Sequence, residues 1–421
     1  MSLCLNSDTF AHQPYRYTMA NEKKSAMSFI MVTLLIDFTG FGIIIPVLPK
    51  LIQDFTGGGF GLAAEYGGWL TLAYASVQFI FSPIIGAMSD RYGRRPVLLS
   101  SLFGLGIDYI FLAFAPSIVW LFVGRIIAGI TGASFTTAQA YIADISAPEK
   151  RAQNFGLVGA AFGVGFILGP VLGGAFSHFG TRVPFMVAAG LSLINWLYGY
   201  FILPESLPAE KRRAFDWKRA NPIGSLRSIG KYPALMGLMV TLFLLYFSSH
   251  SVQSNWTFYT MEKFNWDASW VGYSLGFVGL VIGVVQGGLI RIILPKIGEK
   301  KAVYFGLMLY VIGFVAFAFA TKGWMMFAFM LPYGLAGIGG PAMQGLISNQ
   351  IPANAQGEMQ GVLTGLQSLA AIFAPWVMTH IFAYFIEGKA PVYFPGAPFI
   401  LSAVLTLIGL LIALRSLKKY H

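Results

Sequence analysis

Apolar runs of about 20 residues, each long enough as a helix to cross the ~30 Å hydrocarbon core of a bilayer, recur along nearly the whole chain. Charges, proline clusters and glycine turns separate them into twelve spans. The predicted spans are 27–49, 66–88, 96–115, 117–141, 153–176, 182–203, 233–260, 270–293, 302–320, 324–347, 358–383 and 396–415. The pattern predicts an all-α membrane protein with twelve transmembrane helices.

The longest internal polar stretch, residues 204–232, divides the spans into two sets of six, and the two sets are similar at a constant offset of 205 residues. The matching pairs are Gly93 and Gly298, Gly129 and Gly334, Gly132 and Gly337, Gln139 and Gln344, Gly156 and Gly361, and Pro170 and Pro375. Parallel six-helix repeats around a midplane site are a transporter architecture. We therefore expect a disordered cytoplasmic tail over 1–26, a six-helix half over 27–203, a cytoplasmic loop over 204–232 and a second half over 233–421.

The composition agrees with a lipid environment. Apolar residues make up 56% of the 421 positions and charged residues 11%, and the mean hydropathy is +0.67. A globular domain carries about 25% charged residues, so this chain has too few to cover a surface that faces water. The single cysteine, Cys4, excludes a disulfide framework and a cysteine-based metal site.

The positive charges are distributed asymmetrically. If the N-terminus is inside, 22 of the 28 Lys and Arg residues lie in the tail, the C-terminus and the loops on the same side, and 5 lie on the opposite side. Cytoplasmic loops of membrane proteins carry this excess. We expect a multi-pass inner-membrane protein with both termini in the cytoplasm. The net charge of +11 then reports topology, with anionic lipid headgroups as partners rather than nucleic acid.

The loop after the second span combines a carboxylate with arginines and glycines: Gly86, Asp90, Arg91, Gly93, Arg94 and Arg95. A carboxylate at a helix end can cap the backbone N–H groups of a neighbouring helix. The arginines can pair with cytoplasmic carboxylates or lipid phosphate, and the glycines allow close packing and a tight turn. An ordinary basic loop needs neither the aspartate nor the glycines. We interpret this motif as a conformational latch.

The fourth span carries Arg125 within the membrane, at a cost of at least ~2.5 kcal/mol unless it faces a partner or water. Asp37 in the first span and Asp108 in the third lie at about the same depth, counted at ~1.5 Å per residue. We expect these three residues to handle protons, with a static structural ion pair as the alternative. The equivalent positions of the second half are apolar or glycine: Leu242, Gly313 and Met330.

The fifth span contains closely spaced small residues and a proline: Gly165, Gly169, Pro170, Gly173 and Gly174. Small residues at this spacing let helices approach closely, and the proline kinks the span. Generic helix packing accounts for the glycines alone. Neither a nucleotide-binding G-x-G-x-x-G after a strand nor a G-x-x-x-x-G-K-[ST] loop occurs, which argues against an ATP-driven pump.

Polar and aromatic side chains inside the spans are candidates for lining a substrate cavity: Gln139, His250, Gln253, Trp256, Tyr310 and Gln344. Interfacial belts account for most of the other aromatic residues near the span ends. A membrane-embedded enzyme would need clustered catalytic groups. The five histidines are scattered and form no motif, so we expect no enzyme activity.

From about residue 27 onward, the sequence resembles the twelve-helix tetracycline-efflux branch of the major facilitator superfamily. The stretches that carry the resemblance are 37–49, 89–99, 108–114, 124–133, 203–206 and 319–324. The loop after the second span resembles the superfamily signature G-x-L-x-D-R-x-G-R-R-x-x-L, with Met88 in place of the leucine. The run in the fifth span resembles the G-x-x-x-G-P-x-x-G-G signature of proton-coupled drug antiporters.

That family exports drugs in exchange for protons. The resemblance implies an alternating-access antiporter for a small amphipathic drug, with Asp37 and Asp108 as functional acids, Arg125 beside them, and no cofactor beyond the proton gradient. We expect a monomer. A proton-coupled symporter of a metabolite or sugar and a non-transporting receptor are the alternatives. The chain has Tyr310 where the family has an acid in helix 9 and Ile282 where it has a histidine in helix 8, so the substrate itself stays open.

Overall fold

The computed structural model describes residues 13–418 apart from 133, 147–150, 216–231 and 353–355. In the described residues the chain is helical without strands, and twelve helices are long and apolar enough to cross a membrane. They are α1 (Gln13–Ile44), α2 (Phe60–Tyr92), α3 (Arg94–Ala113), α4 (Ile118–Ile145), α5 (Arg151–Ser177), α6 (Val183–Ile202), α7 (Met236–Phe264), α8 (Ala268–Ile297), α9 (Glu299–Phe319), α10 (Gly323–Ser348), α11 (Gln356–Ile386) and α12 (Ala397–Lys418). The predicted all-α architecture of twelve spans is confirmed.

The first span begins within one residue of its prediction, at Ala26, but it ends earlier and belongs to a longer helix. Helix α1 begins at Gln13, so the expectation of a disordered tail is wrong for residues 13–26, because extending an existing helix costs less than nucleating one. Residues 1–12 lie outside the described part of the chain. The span ends at Ile44 rather than 49, because Pro46 lacks the N–H that continuation needs. A separate short helix, Leu48–Thr56, follows.

The central polar segment is described only in part. Of the predicted loop 204–232, the structure describes 204–215 and Tyr232, with a short 3₁₀ turn at Ala209–Lys211. Residues 216–231 lie outside the described part, so the predicted domain boundaries remain predictions.

The offset of 205 residues reappears in the backbone. Helix α4 is interrupted after Thr131 and α10 after Ala336, and Gly132 and Gly337 follow these two positions. Both interruptions lie at equivalent places in the two halves. Gly93 and Gly298, which precede α3 and α9, both adopt positive φ, at 105° and 76°. A residue with a side chain is strained at such φ values, which explains glycine at both positions.

The two halves contact each other through α5 and α8. A Cβ added at Gly276 would lie 2.8 Å from Val171 Cγ2, and one added at Gly279 would lie 2.6 Å from Ile167 Cγ1. Glycine at these positions lets the two backbones approach closely. A side chain at these positions would have to displace Val171 or Ile167.

One turn further along each helix this contact has ended. Gly163 of α5 and Gly283 of α8 continue the same two faces, yet a Cβ added at either would meet no atom within 4 Å. Helices α2 and α11 show the same change. A Cβ added at Gly68 would lie 3.3 Å from Trp376 Cα, whereas one added at Gly86 would meet no atom of the described residues within 4 Å. The halves therefore close at one side of the molecule and separate toward the other. We call the open side, which carries the α2–α3 loop, the basic side, and the closed side the distal side.

This divergence predicts a difference in thiol labelling in a Cys4→Ser background. Gly163→Cys and Gly283→Cys should react readily with a water-soluble maleimide applied from the basic side, because these faces meet no neighbouring atoms. Gly279→Cys, on the same face of α8, should react slowly because Ile167 covers it. Equal labelling of all three in the purified protein would contradict the described arrangement.

Candidate functional site

The intramembrane arginine has one carboxylate partner in the structure. Arg125 Nη2 of α4 donates to Asp108 Oδ2 of α3 over 3.2 Å. The Asp108 side chain is fully buried and that of Arg125 is 16% exposed. Gly124 makes room for the pair, because an added Cβ there would lie 2.9 Å from Asp108 Oδ1. A charge pair hydrogen-bonded in this way is the arrangement in which a low-dielectric interior tolerates both ions.

Asp37 stands apart from this pair. Its Oδ1 is buried, and no hydrogen bond from any described residue reaches it. Asp108 Oδ1 is also buried, and no hydrogen bond from a described residue reaches it. The structure thus brings Arg125 to Asp108 and leaves Asp37 without a basic partner.

Two tyrosines link the three ionisable residues. Tyr74 and Tyr109 lie in the same neighbourhood as Asp37, Asp108 and Arg125. The guanidinium carbon of Arg125 lies 5.9 Å from the centre of the Tyr74 ring, within the range of a cation–π contact.

A cavity of about 290 Å³ lies between the two halves, on the basic side of the distal contacts. The first half contributes side chains from α1, α2, α4, α5 and the short helix Leu48–Thr56, and the second half contributes α7 and α11. Arg125 is the only formally charged residue among the described residues that line it. Asp37 does not line the cavity, but it lies one helical turn from Phe41, which does.

Two of the six predicted cavity residues line this cavity and four do not. His250 and Gln253 of α7 line the cavity. Trp256 does not, because it is buried within the second half and donates from Nε1 to Ser274 Oγ at 2.9 Å. Tyr310 packs inside the same half, with its ring centre 5.2 Å from that of Tyr333.

Gln139 and Gln344 are also absent from the lining, and Gln344 donates to the Tyr246 hydroxyl at 2.9 Å. Ile282 packs against the apolar core of the molecule. The two departures from the family pattern, Tyr310 and Ile282, therefore lie away from this cavity.

Sequence reasoning missed several residues that line the cavity. Tyr74 and Gln78 of α2 lie on one face, and Gln78 Nε2 is 3.1 Å from the Tyr74 hydroxyl and 3.3 Å from the Gly132 carbonyl oxygen. Phe258 of α7 and Thr379 of α11 line the opposite wall. The signal available in the sequence was the pair of polar groups four residues apart in an otherwise apolar span.

The α2–α3 loop forms a network at the basic side. Arg94 contacts Asp90 at 2.6 Å, Asp144 of α4 at 3.2 Å and Ser89 Oγ at 2.6 Å. Its side chain is 11% exposed. A planar guanidinium can satisfy several acceptors at once, which joins the end of α2 to the end of α4.

The carboxylate that caps a neighbouring helix is not Asp90, as the sequence suggested, but Glu205. Glu205 Oε1 accepts from the backbone N–H of Arg94 at 2.8 Å, at the first turn of α3. A negative charge at a helix N-terminus is stabilised by the free N–H groups and the helix dipole. A Cβ at Gly93 would collide with this carboxylate, which is a second reason for glycine there.

The remaining loop residues lie at the surface of this network. Arg95 donates from Nη2 to the Tyr200 carbonyl oxygen at 2.7 Å, and the guanidinium of Arg91 lies 5.1 Å from the centre of the Tyr92 ring. Gly86 faces open space.

The glycines of α5 pack mainly against α1. A Cβ added at Gly169 would lie 2.6 Å from the Thr39 carbonyl oxygen, and one added at Gly165 would lie 2.6 Å from Phe38 Cβ. Gly173 faces the backbone of Ile43 in the same way. Gly174 lies against α8, where an added Cβ would be 2.7 Å from the Ala268 carbonyl oxygen. Pro170 lies between the two helices, because a Cβ added at Gly42 of α1 would be 2.8 Å from its Cδ, while its carbonyl oxygen faces Gly272 of α8. The run therefore packs α5 tightly on one side against its own half and on the other against the opposite half.

Comparison with known proteins gives one consistent family. Residues 30–375 match the family model described as Major Facilitator Superfamily. The chain is 39% identical to the class C tetracycline resistance protein of Escherichia coli over 362 residues, which cover 86% of this chain and 91% of that protein. It is 31% identical to the class H tetracycline resistance protein of Pasteurella multocida over 396 residues, which cover 94% of this chain and 97% of that protein.

Solved structures show the same fold. A bacterial homologue of the human lysosomal transporter Spinster, in an inward-facing and unoccupied conformation, matches with a TM-score of 0.74 at 16% identity and covers 94% of this chain and 97% of that chain. The human organic anion transporter MFSD10 matches with a TM-score of 0.68 at 23% identity, covering 93% and 99% of the two chains. The family model spans more than half of this chain, which therefore belongs to the Major Facilitator Superfamily.

Proposed function

We propose that this protein exports a small amphipathic drug in exchange for protons, by alternating access of one central cavity to the two sides of the inner membrane. The basic side and both termini face the cytoplasm, as the distribution of Lys and Arg favours. The described conformation is then open inward. One chain forms the whole cavity, which supports function as a monomer.

The drug part of the proposal is supported by the relatives and by the cavity. Six similar proteins, at 31–39% identity, are named tetracycline resistance proteins. The cavity joins aromatic walls, such as Phe41 and Phe258, to hydrogen-bonding groups such as Gln78 and Gln253. An apolar pocket with a few convergent polar groups is suited to a planar amphipathic ligand.

The single observation that carries the proton part is the Asp108–Arg125 pair, in which a buried carboxylate meets a guanidinium that also lines the cavity. A rocking motion that lengthens this contact raises the free energy of the charged carboxylate and favours proton uptake; a motion that restores the contact favours release. The membrane potential adds ~2.3 kcal/mol per charge per 100 mV, which is enough to drive export uphill.

Drug-dependent proton movement is the direct test. In inverted membrane vesicles energised by respiration, a substrate drug from a panel of tetracyclines, fluoroquinolones and lipophilic cations should make protons leave the acidic interior, reported by a quenched dye. Vesicles without the protein are the control. If no drug moves protons while sugars or other metabolites do, the symporter alternative replaces this proposal.

The two acids should carry the coupling. Asp37→Asn and Asp108→Asn should each reduce the drug accumulation ratio from roughly 50-fold per 100 mV toward about 1, because an amide cannot exchange a proton. Asp37→Asn is the cleaner variant, since it leaves the Asp108–Arg125 pair intact. Asp54→Asn, an exposed aspartate of the short helix, is the matched control. Uphill export by both Asp37→Asn and Asp108→Asn would reject the assignment.

The network of the α2–α3 loop should stabilise the described conformation. Glu205→Gln should lower the stability of the purified protein by about 1–3 kcal/mol, because a charged acceptor for the first N–H groups of α3 is lost. Thermal unfolding with and without drug measures this effect. Glu210→Gln, in the exposed 3₁₀ turn, is the control. An unchanged melting temperature in Glu205→Gln would contradict a structural role for the cap.

A further inference from the structure

Helices α2 and α11 meet on the distal side through aromatic rings and one pair of ionisable side chains. The rings of Trp69 and Trp376 pack edge to face with centres 5.4 Å apart. Beside them, Glu65 Oε1 of α2 lies 3.7 Å from His380 Nε2 of α11. The His380 ring also contacts both tryptophans, with centres 5.6 Å and 4.6 Å away. The pair thus joins the two halves on the side where the cavity is closed.

The hydrogen bond of the second ring nitrogen of His380 determines which nitrogen of the neutral ring carries the proton. His380 Nδ1 lies 2.8 Å from the Trp376 carbonyl oxygen, which can only accept a hydrogen bond, so Nδ1 carries a proton. In a neutral imidazole, Nε2 is then an acceptor, and an ionised carboxylate is an acceptor as well. The contact between His380 Nε2 and Glu65 becomes attractive only when one more proton is added.

Further charged side chains lie beside this pair. Glu387, at the end of α11, lies against α2, because a Cβ added at Gly61 would be 2.6 Å from its Cγ. Lys389 Nζ lies 2.9 Å from Glu387 Oε2, and this hydrogen bond raises the pKa of Lys389, which stays charged. The charge of Glu65 acts on Lys389 as well. Two carboxylates and one lysine leave one negative charge, which a protonated His380 neutralises.

The other distal contact between the halves, α5 with α8, also contains a histidine but needs no extra proton. His178 Nε2 of α5 lies 2.8 Å from Ser269 Oγ of α8, and Ser269 Oγ donates to the Gly174 carbonyl oxygen at 3.2 Å. A neutral imidazole can donate to the serine oxygen, so each group has a partner. The two histidines therefore differ in their partners, because His178 faces a hydroxyl and His380 faces a carboxylate.

We propose that Glu65 and His380 form a second proton-binding site, which the external solution loads when the distal side is open and whose protonation closes the contact between α2 and α11. The pair lies on the distal side of the cavity, so its proton comes from and returns to the external solution. It sets the balance between the two conformations without carrying a proton across. The inference rests on the orientation proposed above and is independent of the identity of any drug.

Closure of the distal side by external protons suits a protein that exchanges protons for a drug. External acidity, which drives proton entry, would favour the state that is closed outward and open inward, the state that collects drug from the cytoplasm.

The test measures the distance between the two halves on the distal side. Val119 and Trp324 begin α4 and α10 at equivalent positions, and both are exposed. Spin labels at Val119→Cys and Trp324→Cys, in a Cys4→Ser background in lipid nanodiscs without drug, report closed and open populations. Between about pH 8 and about pH 5.5, the ratio of closed to open protein should rise about threefold through this partly exposed pair.

Three variants assign the response to the pair. His380→Gln should lose the threefold change in the ratio of closed to open protein, because the glutamine amide donates to Glu65 at every pH. Glu65→Gln should lose it as well, because its amide donates to His380 Nε2 without an added proton. His178→Gln, the matched control, should keep it. Any contribution from Asp37 or Asp108 is present in all variants and cancels in the comparison.

Two results would overturn the proposal: a parent protein whose distance distribution ignores pH, or a His380→Gln protein that responds as strongly as the parent. Because no drug is present, a failure of the drug assay leaves this measurement interpretable. A pH-independent distance with intact drug exchange would reject the second site while sparing the proposed function.

Discussion

The absence of water from the hydrocarbon core governs this molecule. Backbone groups there must be satisfied within a helix, which accounts for the twelve long helices. Charged side chains there need a partner or an aqueous cavity, and Arg125 has both, since it bonds Asp108 and lines the space between the halves. The same constraint leaves Asp37, with a buried oxygen that has no partner among the described residues, as a group whose charge state must respond to its surroundings. This arrangement is the basis of the proton exchange proposed above.

Helix packing in lipid cannot rely on the hydrophobic effect, so close approach of backbones replaces it. The glycines of α5 and α8 provide that approach: α5 lies against α1 through Gly165 and Gly169, and against α8 at Gly276 and Gly279 of the latter. The contact between the halves ends abruptly where Gly163 and Gly283 face open space. A glycine face can pack in one conformation and part in another without leaving an unfilled side-chain cavity, which suits a protein whose two halves must rock.

Several site residues were accessible to sequence reasoning, because the cost of an intramembrane charge marks Asp37, Asp108 and Arg125 whatever the fold. The pairing of Arg125 with Asp108 rather than Asp37 was not accessible, since depth counting places all three at one level but says nothing of the direction in which each helix face points. The burial of Trp256 and Tyr310 inside the second half was not accessible for the same reason. Their side chains combine an aromatic ring with a polar group, which would also suit a cavity wall. The cap of α3 by Glu205 joins residues more than 100 positions apart, which no local pattern reveals.

The sequence by itself determined the number of spans, their division into two similar halves and the family, because hydropathy, loop charge and glycine spacing are properties of consecutive residues. The interruptions of α4 and α10 lie at Gly132 and Gly337, which the same offset pairs. The tertiary structure alone decided which faces meet, which side of the molecule is closed, and that Glu65 lies beside His380. Those contacts join helices far apart in the chain, and their geometry depends on crossing angles and rotations that a few kcal/mol of packing select after the helices have formed.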